Sequence, residues 1–172
     1  MDSTRLVGAG VDWLVGEDVL PIEDAVCSII SNASKSIEMT MYSIWTGFEF
    51  VDRVWDCLEG AIKRGVHVYL IVNDFDGQQS QAAKRRVVAL KKLGPDTVGI
   101  RSFKGGSGVL HAKLLVVDEV YCIVSSSNQS DAGYARNHEL GVLMEGRQSV
   151  VASKMFRRLF SSNSCVDVVA PS

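Results

Sequence analysis

The sequence has no Cys-x-x-Cys pair. Its four cysteines, Cys27, Cys57, Cys122 and Cys165, are widely spaced. That excludes zinc-site spacing and argues against a disulfide framework, so all four read as reduced thiols in or near a core. Neither charge sign dominates: the formal net charge is -2 over 172 residues. A basic protein that coats nucleic acid by bulk charge is excluded, which leaves only a local patch. The first residues, MDSTRLVGAGVDWLVGEDVLP, are interrupted by Asp, Gly and Glu and lack the apolar stretch of a secretory leader. Nowhere does an uninterrupted apolar run approach ~18 residues, so no transmembrane segment is expected. Internal repeats and shifts of composition are also absent. A soluble cytoplasmic protein is the expectation, with one domain over residues 1–172 and a core from about 18 to 162.

The chain is 47% hydrophobic and 22% charged, enough for one well-filled core. Pro21 opens a helical pattern with Val26, Ile29, Ile30 and Ala33 on one face. Residues 36–44 read as a strand in which Ile37, Met39 and Met41 alternate with Glu38, Thr40 and Tyr42. A second helix runs from Phe50 to Arg64 and stops at Gly65, and 66–72 is a central strand, apolar on both faces. After a turn at 73–77, a third helix spans Gln78 to Leu93 and ends at Gly94-Pro95. Residues 98–103 form a short strand and 104–108 a glycine-rich loop. The segments 112–118 and 121–126 are joined by Glu119-Val120, as in a hairpin. A strand at 138–145 and a helix from Ser149 to Phe160, with Val151, Met155, Leu159 and Phe160 apolar, close the pattern. This order predicts an α/β fold with a mixed, mostly parallel sheet flanked by helices.

One strand carries unexpected residues. In VLHAKLLVVD (109–118), His111 and Lys113 interrupt an apolar run. Residues two apart on a strand point the same way, so this pair lies together at an open sheet end, with Leu115 and Val117 continuing the face into the core. Gly105, Gly106 and Gly108 precede it. The hairpin returns Ser125, Ser126, Ser127 and Asn128 beside it, and hydroxyl and amide donors next to an imidazole and an ammonium suit a phosphate. If the next strand pairs nearby, Glu139 can accept from one imidazole nitrogen, fix the tautomer and leave the other nitrogen free to react. His67 reads as a structural histidine.

This pattern resembles the phospholipase D superfamily, whose signature is H-x-K-x4-D, then a small-residue run ending in Asn, then an acidic residue. Here these are His111, Lys113 and Asp118, then Ser125-Ser126-Ser127-Asn128, then Glu139. The chain departs from the family at Ser125, where Gly is usual; the hydroxyl at Ser126 is kept. An early helix, a strand ending in Tyr42-Ser43, and Lys63-Arg64-Gly65-Val66 before a central strand also match the family layout. The resemblance covers nearly the whole chain.

The resemblance implies a phosphodiesterase that needs no metal or other cofactor. One histidine attacks phosphorus and a second serves as general acid and base. His111 would be the nucleophile in one subunit and the acid/base in the other. Lys113 and Asn128 would bind the phosphate, Ser126 would donate to it, and Glu139 would orient His111. Asp118, on the opposite strand face, would be structural. With a single H-x-K motif, the resemblance implies a homodimer with one shared site. Size and the single motif point to a nonspecific endonuclease acting on DNA or RNA. The candidate contacts to its backbone are Lys84, Arg85, Arg101, Lys104 and Arg136, with Tyr134 at the groove mouth. Arg86, Lys91 and Lys92 extend the cationic helix face; by itself such a cluster reads as a solvated surface. The alternatives are a phospholipase D or phosphatidyltransferase working at membrane lipid, for which Trp45, Phe48 and Phe50 would form an apolar lip, and a noncatalytic nucleic-acid-binding scaffold.

Overall fold

The computed structural model describes residues 2–14, 18–106 and 108–168. The strands are β1 (Ser3–Ala9), β2 (Leu20–Pro21), β3 (Ser36–Met41), β4 (His67–Asn73), β5 (Val98–Phe103), β6 (Lys113–Val117), β7 (Tyr121–Ser125), β8 (Glu139–Glu145) and β9 (Cys165–Asp167). The helices are α1 (Val11–Leu14), α2 (Ile22–Ser31), α3 (Glu49–Lys63), α4 (Phe75–Gln78), α5 (Gln81–Leu93) and α6 (Arg147–Phe160), and Ala132–Arg136 forms a π-helical turn.

All the strands join one mixed sheet in the order β2-β1-β8-β7-β6-β3-β4-β5-β9. Parallel pairing is confined to β1 with β2 and to the central β3-β4-β5 unit. The other five neighbouring pairs are antiparallel, so the sheet is mixed but less parallel than expected. The reason is the hairpin: once β6 and β7 are tightly joined they must run antiparallel, and β8 and β1 add on in the same manner.

Helices cover both faces. On one face α2, α3 and α5 pack on the sheet, with Ile30, Trp55, Leu58 and Leu90 buried against Ile37, Met39, Leu70 and Leu115. On the other face α6 places Phe156 against Ile71, Leu110 and Cys165. This second layer changes the reading of β3. Alternation predicts that Glu38 and Thr40 face solvent, yet both are buried. Glu38 lies under α6, where Arg157 Nε donates to its Oε1 at 2.6 Å. The expected apolar residues of α6 are also only partly used: Leu159 and Phe160 pack against the cluster around Phe156, whereas Val151 and Met155 are exposed.

Other boundaries differ locally. The third expected helix starts later, as α5 at Gln81, because Ser80 caps it by accepting from Ala83 N at 3.1 Å, and most of the expected turn at 73–77 is the short helix α4. Three residues, Asp118 to Val120, separate the paired Val117 and Tyr121, so the hairpin loop is one residue longer than expected. Asp118 and Glu119 have φ of 57° and 60°, and Val120 N donates to Val117 O at 2.9 Å. That geometry fits the right-handed twist of the strands it joins. Among the described residues no helix is long and apolar enough to cross a membrane.

Candidate active site

The His111–Lys113 segment is fixed from both sides. Leu110 N donates to the buried Asn73 Oδ1 at 2.8 Å, at the end of β4. On the other side, Thr40 Oγ1 donates to Ala112 O at 2.7 Å and accepts from Leu114 N at 3.0 Å. The Thr40 side chain thus continues the β3–β6 ladder past its last paired residues, Met39 and Leu115. His111 sits between these two anchors, just before β6 begins, and is exposed. Lys113 is the first residue of β6 and is buried.

Lys113 Nζ lies 2.9 Å from His111 Nε2 and 3.0 Å from Nδ1. A neutral imidazole has one N–H and one acceptor nitrogen, so only one of the two can accept from the ammonium. Burial pulls the Lys113 ammonium below the ordinary lysine range, and the negative charge of Glu139 opposes that shift. Tyr42 completes the group: its ring meets the His111 ring edge-on with centroids 4.6 Å apart, and Lys113 Nζ lies 5.2 Å from the Tyr42 ring centroid. Tyr42 entered the sequence reading only as a strand end. Its contact with the imidazole depends on the β3–β6 pairing, which spacing alone does not reveal.

The hairpin delivers the serine run where expected. Lys113 pairs with Ser125, and Ser125 pairs with Gly141 of β8. Asn128 Oδ1 is buried and has no hydrogen-bond partner among the described residues, an unusual state for a buried amide oxygen outside a functional site. The π-helical turn holds this loop from behind. Ser127 Oγ donates to Gly133 O at 2.6 Å, and Tyr134 OH donates to Gln129 Oε1. A Cβ at Gly133 would stand 2.5 Å from Asn128 O and 2.9 Å from Ser127 Oγ, so only glycine fits there. Tyr134, expected at a groove mouth, is instead buried behind the loop.

Glu139 does not hydrogen-bond His111 within the chain. Its Oε1 accepts from Asn137 Nδ2 at 3.1 Å and its Oε2 accepts from Ser126 Oγ. The Ser126 hydroxyl is therefore directed to Glu139, not held free for a ligand. Asp118 lies at the far end of the hairpin and acts on the scaffold. Its carboxylate accepts from Ser34 N and Ser34 Oγ at 2.8 and 2.9 Å and from Lys35 N and Ser36 N at 2.8 Å each. Burial pushes its pKa up, but these donors outweigh burial and hold the carboxyl below the usual range.

Most of the candidate phosphate-backbone cations are already engaged. Lys84 Nζ donates to Asp76 O at 2.6 Å. Lys104 pairs with Asp74 at 2.7 Å, and Arg136 pairs with Asp131 at 2.7 Å. Arg101 pairs with Asp167 at 3.2 Å and donates to Phe160 O, which places it at the β5–β9 edge, three strands from β6. Arg85 is exposed. Aspartate side chains meet Arg101, Lys104 and Arg136 and a backbone carbonyl meets Lys84, so the row of cations read from the sequence overstates the free positive charge.

With this geometry in place, comparison with known proteins is decisive. A family model described as "Cardiolipin synthase, PLD-like domain" matches residues 26–162. The chain belongs to the phospholipase D superfamily. It is 30% identical to phospholipase D Z of Dictyostelium discoideum over 148 residues, which cover 77% of this chain and 33% of that protein. With the DISARM protein DrmC of Bacillus paralicheniformis it shares 27% identity over 138 residues, or 78% of this chain and 54% of DrmC. The chain therefore spans about a third to a half of these relatives. Among solved structures, the phospholipase D family member Nuc of Salmonella typhimurium superposes with a TM-score of 0.74 at 21% identity, covering 99% of this chain and all of Nuc. NucT of Helicobacter pylori gives 0.72 at 16% identity, covering 98% of this chain and all of NucT. The phosphatidylserine synthase of Haemophilus influenzae gives 0.70 at 13% identity, covering 97% of this chain but 40% of the synthase. The fold is thus the phospholipase D-like fold, and the superfamily is one of phosphodiesterases.

Proposed function

We propose that the chain is a metal-independent phosphodiesterase that cleaves nucleic acid as a nonspecific endonuclease, working as a homodimer around one shared site. A single observation carries this reading. One exposed imidazole is held between two backbone anchors, with a buried ammonium 2.9 Å from it and an unpartnered Asn128 amide oxygen on the adjoining loop. The likeness of fold to Nuc and NucT, each matched over its whole length, supports nucleic acid as the substrate.

In the proposed reaction a ring nitrogen of His111 attacks phosphorus. A P–N bond forms and the P–O bond to the leaving group breaks. The leaving oxygen takes a proton from the equivalent histidinium of the second copy. That histidine, now neutral, removes a proton from water; the hydroxide attacks phosphorus and the P–N bond breaks, which restores both histidines. Lys113 and Asn128 hold the nonbridging oxygens as charge builds on them. Neither other histidine fits the acid/base role within one chain: His67 is at the opposite end of β4 from Asn73, and the His138 ring packs 5.7 Å from Trp13.

A second reading has its own support. Trp45 is 56% exposed beside exposed Phe48 and Phe50, and its N donates to Gln129 O at 2.8 Å, which places this aromatic lip next to the Asn128 loop. Such a lip suits an enzyme that meets a membrane. The test is to incubate wild type and His111→Ala with labelled single-stranded DNA, duplex DNA, RNA and phospholipid vesicles, all in excess EDTA. Cleavage of nucleic acid by wild type alone is the expected result. Headgroup release from vesicles alone would replace the nuclease with a lipid phosphodiesterase. No cleavage of any substrate would leave the scaffold reading.

A further inference from the structure

One buried side chain ties together the two central strand ends that flank the site. β3 and β4 run parallel, and their ladder stops at Met41 opposite Val72. Tyr42 O and Asn73 O come next, one on each strand, and both accept from Gln79. Its Nε2 donates to Tyr42 O at 3.0 Å and to Asn73 O at 2.9 Å, and its Oε1 accepts from Ile44 N at 3.0 Å. The carboxamide thus spends both N–H donors and its oxygen on backbone, and the residue is buried. Turning the amide over would set its oxygen against two carbonyls, so only this orientation fits. Gln79 is extended, with φ -82° and ψ 143°, between the end of α4 and the Ser80 cap of α5. Gln78 adds a second donor to Tyr42 O at 3.0 Å, and its Oε1 accepts from Asn73 Nδ2 at 2.6 Å. A buried network with its donors and acceptors met fixes one arrangement of the segments it joins.

The segment held in this way, residues 42–45, touches the site at both ends. At one end the Tyr42 ring meets the His111 ring edge-on, with centroids 4.6 Å apart. At the other, Trp45 N donates to Gln129 O at 2.8 Å and Ile44 bridges Gln129, the residue after Asn128. Asn73 joins from a third side, because its Oδ1 accepts from Leu110 N, one residue before His111. The scaffold elements do not need Gln79 for themselves: the β3–β4 ladder is complete at Met41, and Ser80 already caps α5. We propose that Gln79 is a positioning residue, whose one carboxamide sets the Tyr42 ring against His111 and keeps the Asn128 loop in register with it. Gln79 touches no substrate. The inference rests on the reading of His111 as nucleophile and Asn128 as phosphate ligand, and it names what holds the two together.

The test compares Gln79→Met, which keeps the side-chain length and removes its bonds, with Tyr42→Leu. Gln81→Met, at an exposed position in the first turn of α5, is the control. Ring-proton NMR follows the three histidines, with His111 assigned by its absence from His111→Ala. Steady-state kinetics on DNA in EDTA give kcat and KM beside it. The ring current of Tyr42 displaces the His111 ring protons, and Tyr42→Leu is expected to abolish that displacement. Gln79→Met should move the His111 signal toward the Tyr42→Leu value and lower kcat about 10²-fold. His67, which stacks on Tyr69 at the other end of β4, should keep its signal, and Gln81→Met should change nothing. A His111 signal that stays at its wild-type value in Gln79→Met overturns the proposal, as does an unchanged kcat. Signals of His67 and His138 that move as far as that of His111 also overturn it, because the effect is then on the whole fold. Should Gln79→Met fail to fold, Gln78→Leu decides by the same signals, since Gln78 is exposed and supplies the other donor to Tyr42 O. If wild type cuts no nucleic acid, the nuclease reading falls and the ring signals alone decide whether Gln79 positions His111.

Discussion

Lys113 holds its ammonium 2.9 Å from Nε2 of His111 while being buried itself. The same residue is thus costly to the fold and, in the proposed reaction, needed by the site. Burial holds its pKa below the ordinary lysine value. Between those two pKa values the unfolded chain keeps a proton that the folded chain has lost, so stability rises with pH through that window. Lys113→Met is expected to melt no lower than wild type at neutral pH, to lose this rise on the alkaline side, and to lose about 10²–10³-fold in activity. For wild type, KM should climb at a pH below the ordinary lysine range, as the ammonium proposed to bind phosphate is lost. Thermal melts and a pH profile of KM check both.

Asp118 predicts the reverse pattern, stability without catalysis. Its carboxylate ties together Ser34, Lys35 and Ser36 at the start of β3. Its folded pKa is depressed, so its contribution is complete above the unfolded carboxyl value and is lost as pH falls through the folded one. Asp118→Ala should lower stability by about 1–3 kcal/mol at neutral pH. It should also flatten the loss of stability on acidification and leave kcat of the folded fraction near wild type. Urea titrations at neutral and acidic pH, with kinetics beside them, measure this.

Gly133 is expected to matter for catalysis although it touches no substrate. A Cβ there would press on Asn128 O from 2.5 Å, so the loop that carries the proposed phosphate-binding amide must move. A displacement of about 1 Å is enough to cost ~10²-fold in rate. Gly133→Ala should therefore lower kcat far more than it lowers the melting temperature; a melting loss large enough to account for the activity loss would refute the positioning role.

Glu38 and Arg157 form a pair that only the second helical layer explains. Glu38 is buried, and its Oε2 has no partner beyond the Arg157 contact at Oε1. Arg157→Ala leaves that carboxylate uncompensated and should cost about 3–5 kcal/mol. Adding Glu38→Met should recover most of the loss, because the buried charge is then gone. Chemical denaturation of the single and double variants gives the coupling.

Much of the site was legible in the sequence because its residues lie within two short segments. His111 with Lys113 is a local strand relation, and the serine run returns through a tight hairpin. Glu38, Tyr42 and Gly133 were less legible because their roles come from contacts distant in sequence. Alternation marks which residues share a strand face but not whether a later helix covers that face; so Glu38 read as exposed and Met155 as part of a packing stripe. The cationic helix misled for the same reason: Arg86 meets Asp56 and Glu59 from α3, which no pattern within α5 announces. The parallel fraction of the sheet was overread because the order of helices and strands marks the parallel β3-β4-β5 unit but not that the β6–β7 hairpin and β8 add on antiparallel.

The most direct test of the account is to trap the covalent intermediate. Wild-type protein is mixed with a single-turnover amount of labelled oligonucleotide in EDTA, quenched in alkali within milliseconds, and analysed by mass spectrometry of its peptides. The account predicts a phosphoryl adduct on His111, stable to alkali, lost in acid and absent from His111→Ala. Efficient turnover with no adduct on His111 at any quench time, or an adduct on another residue, would contradict it.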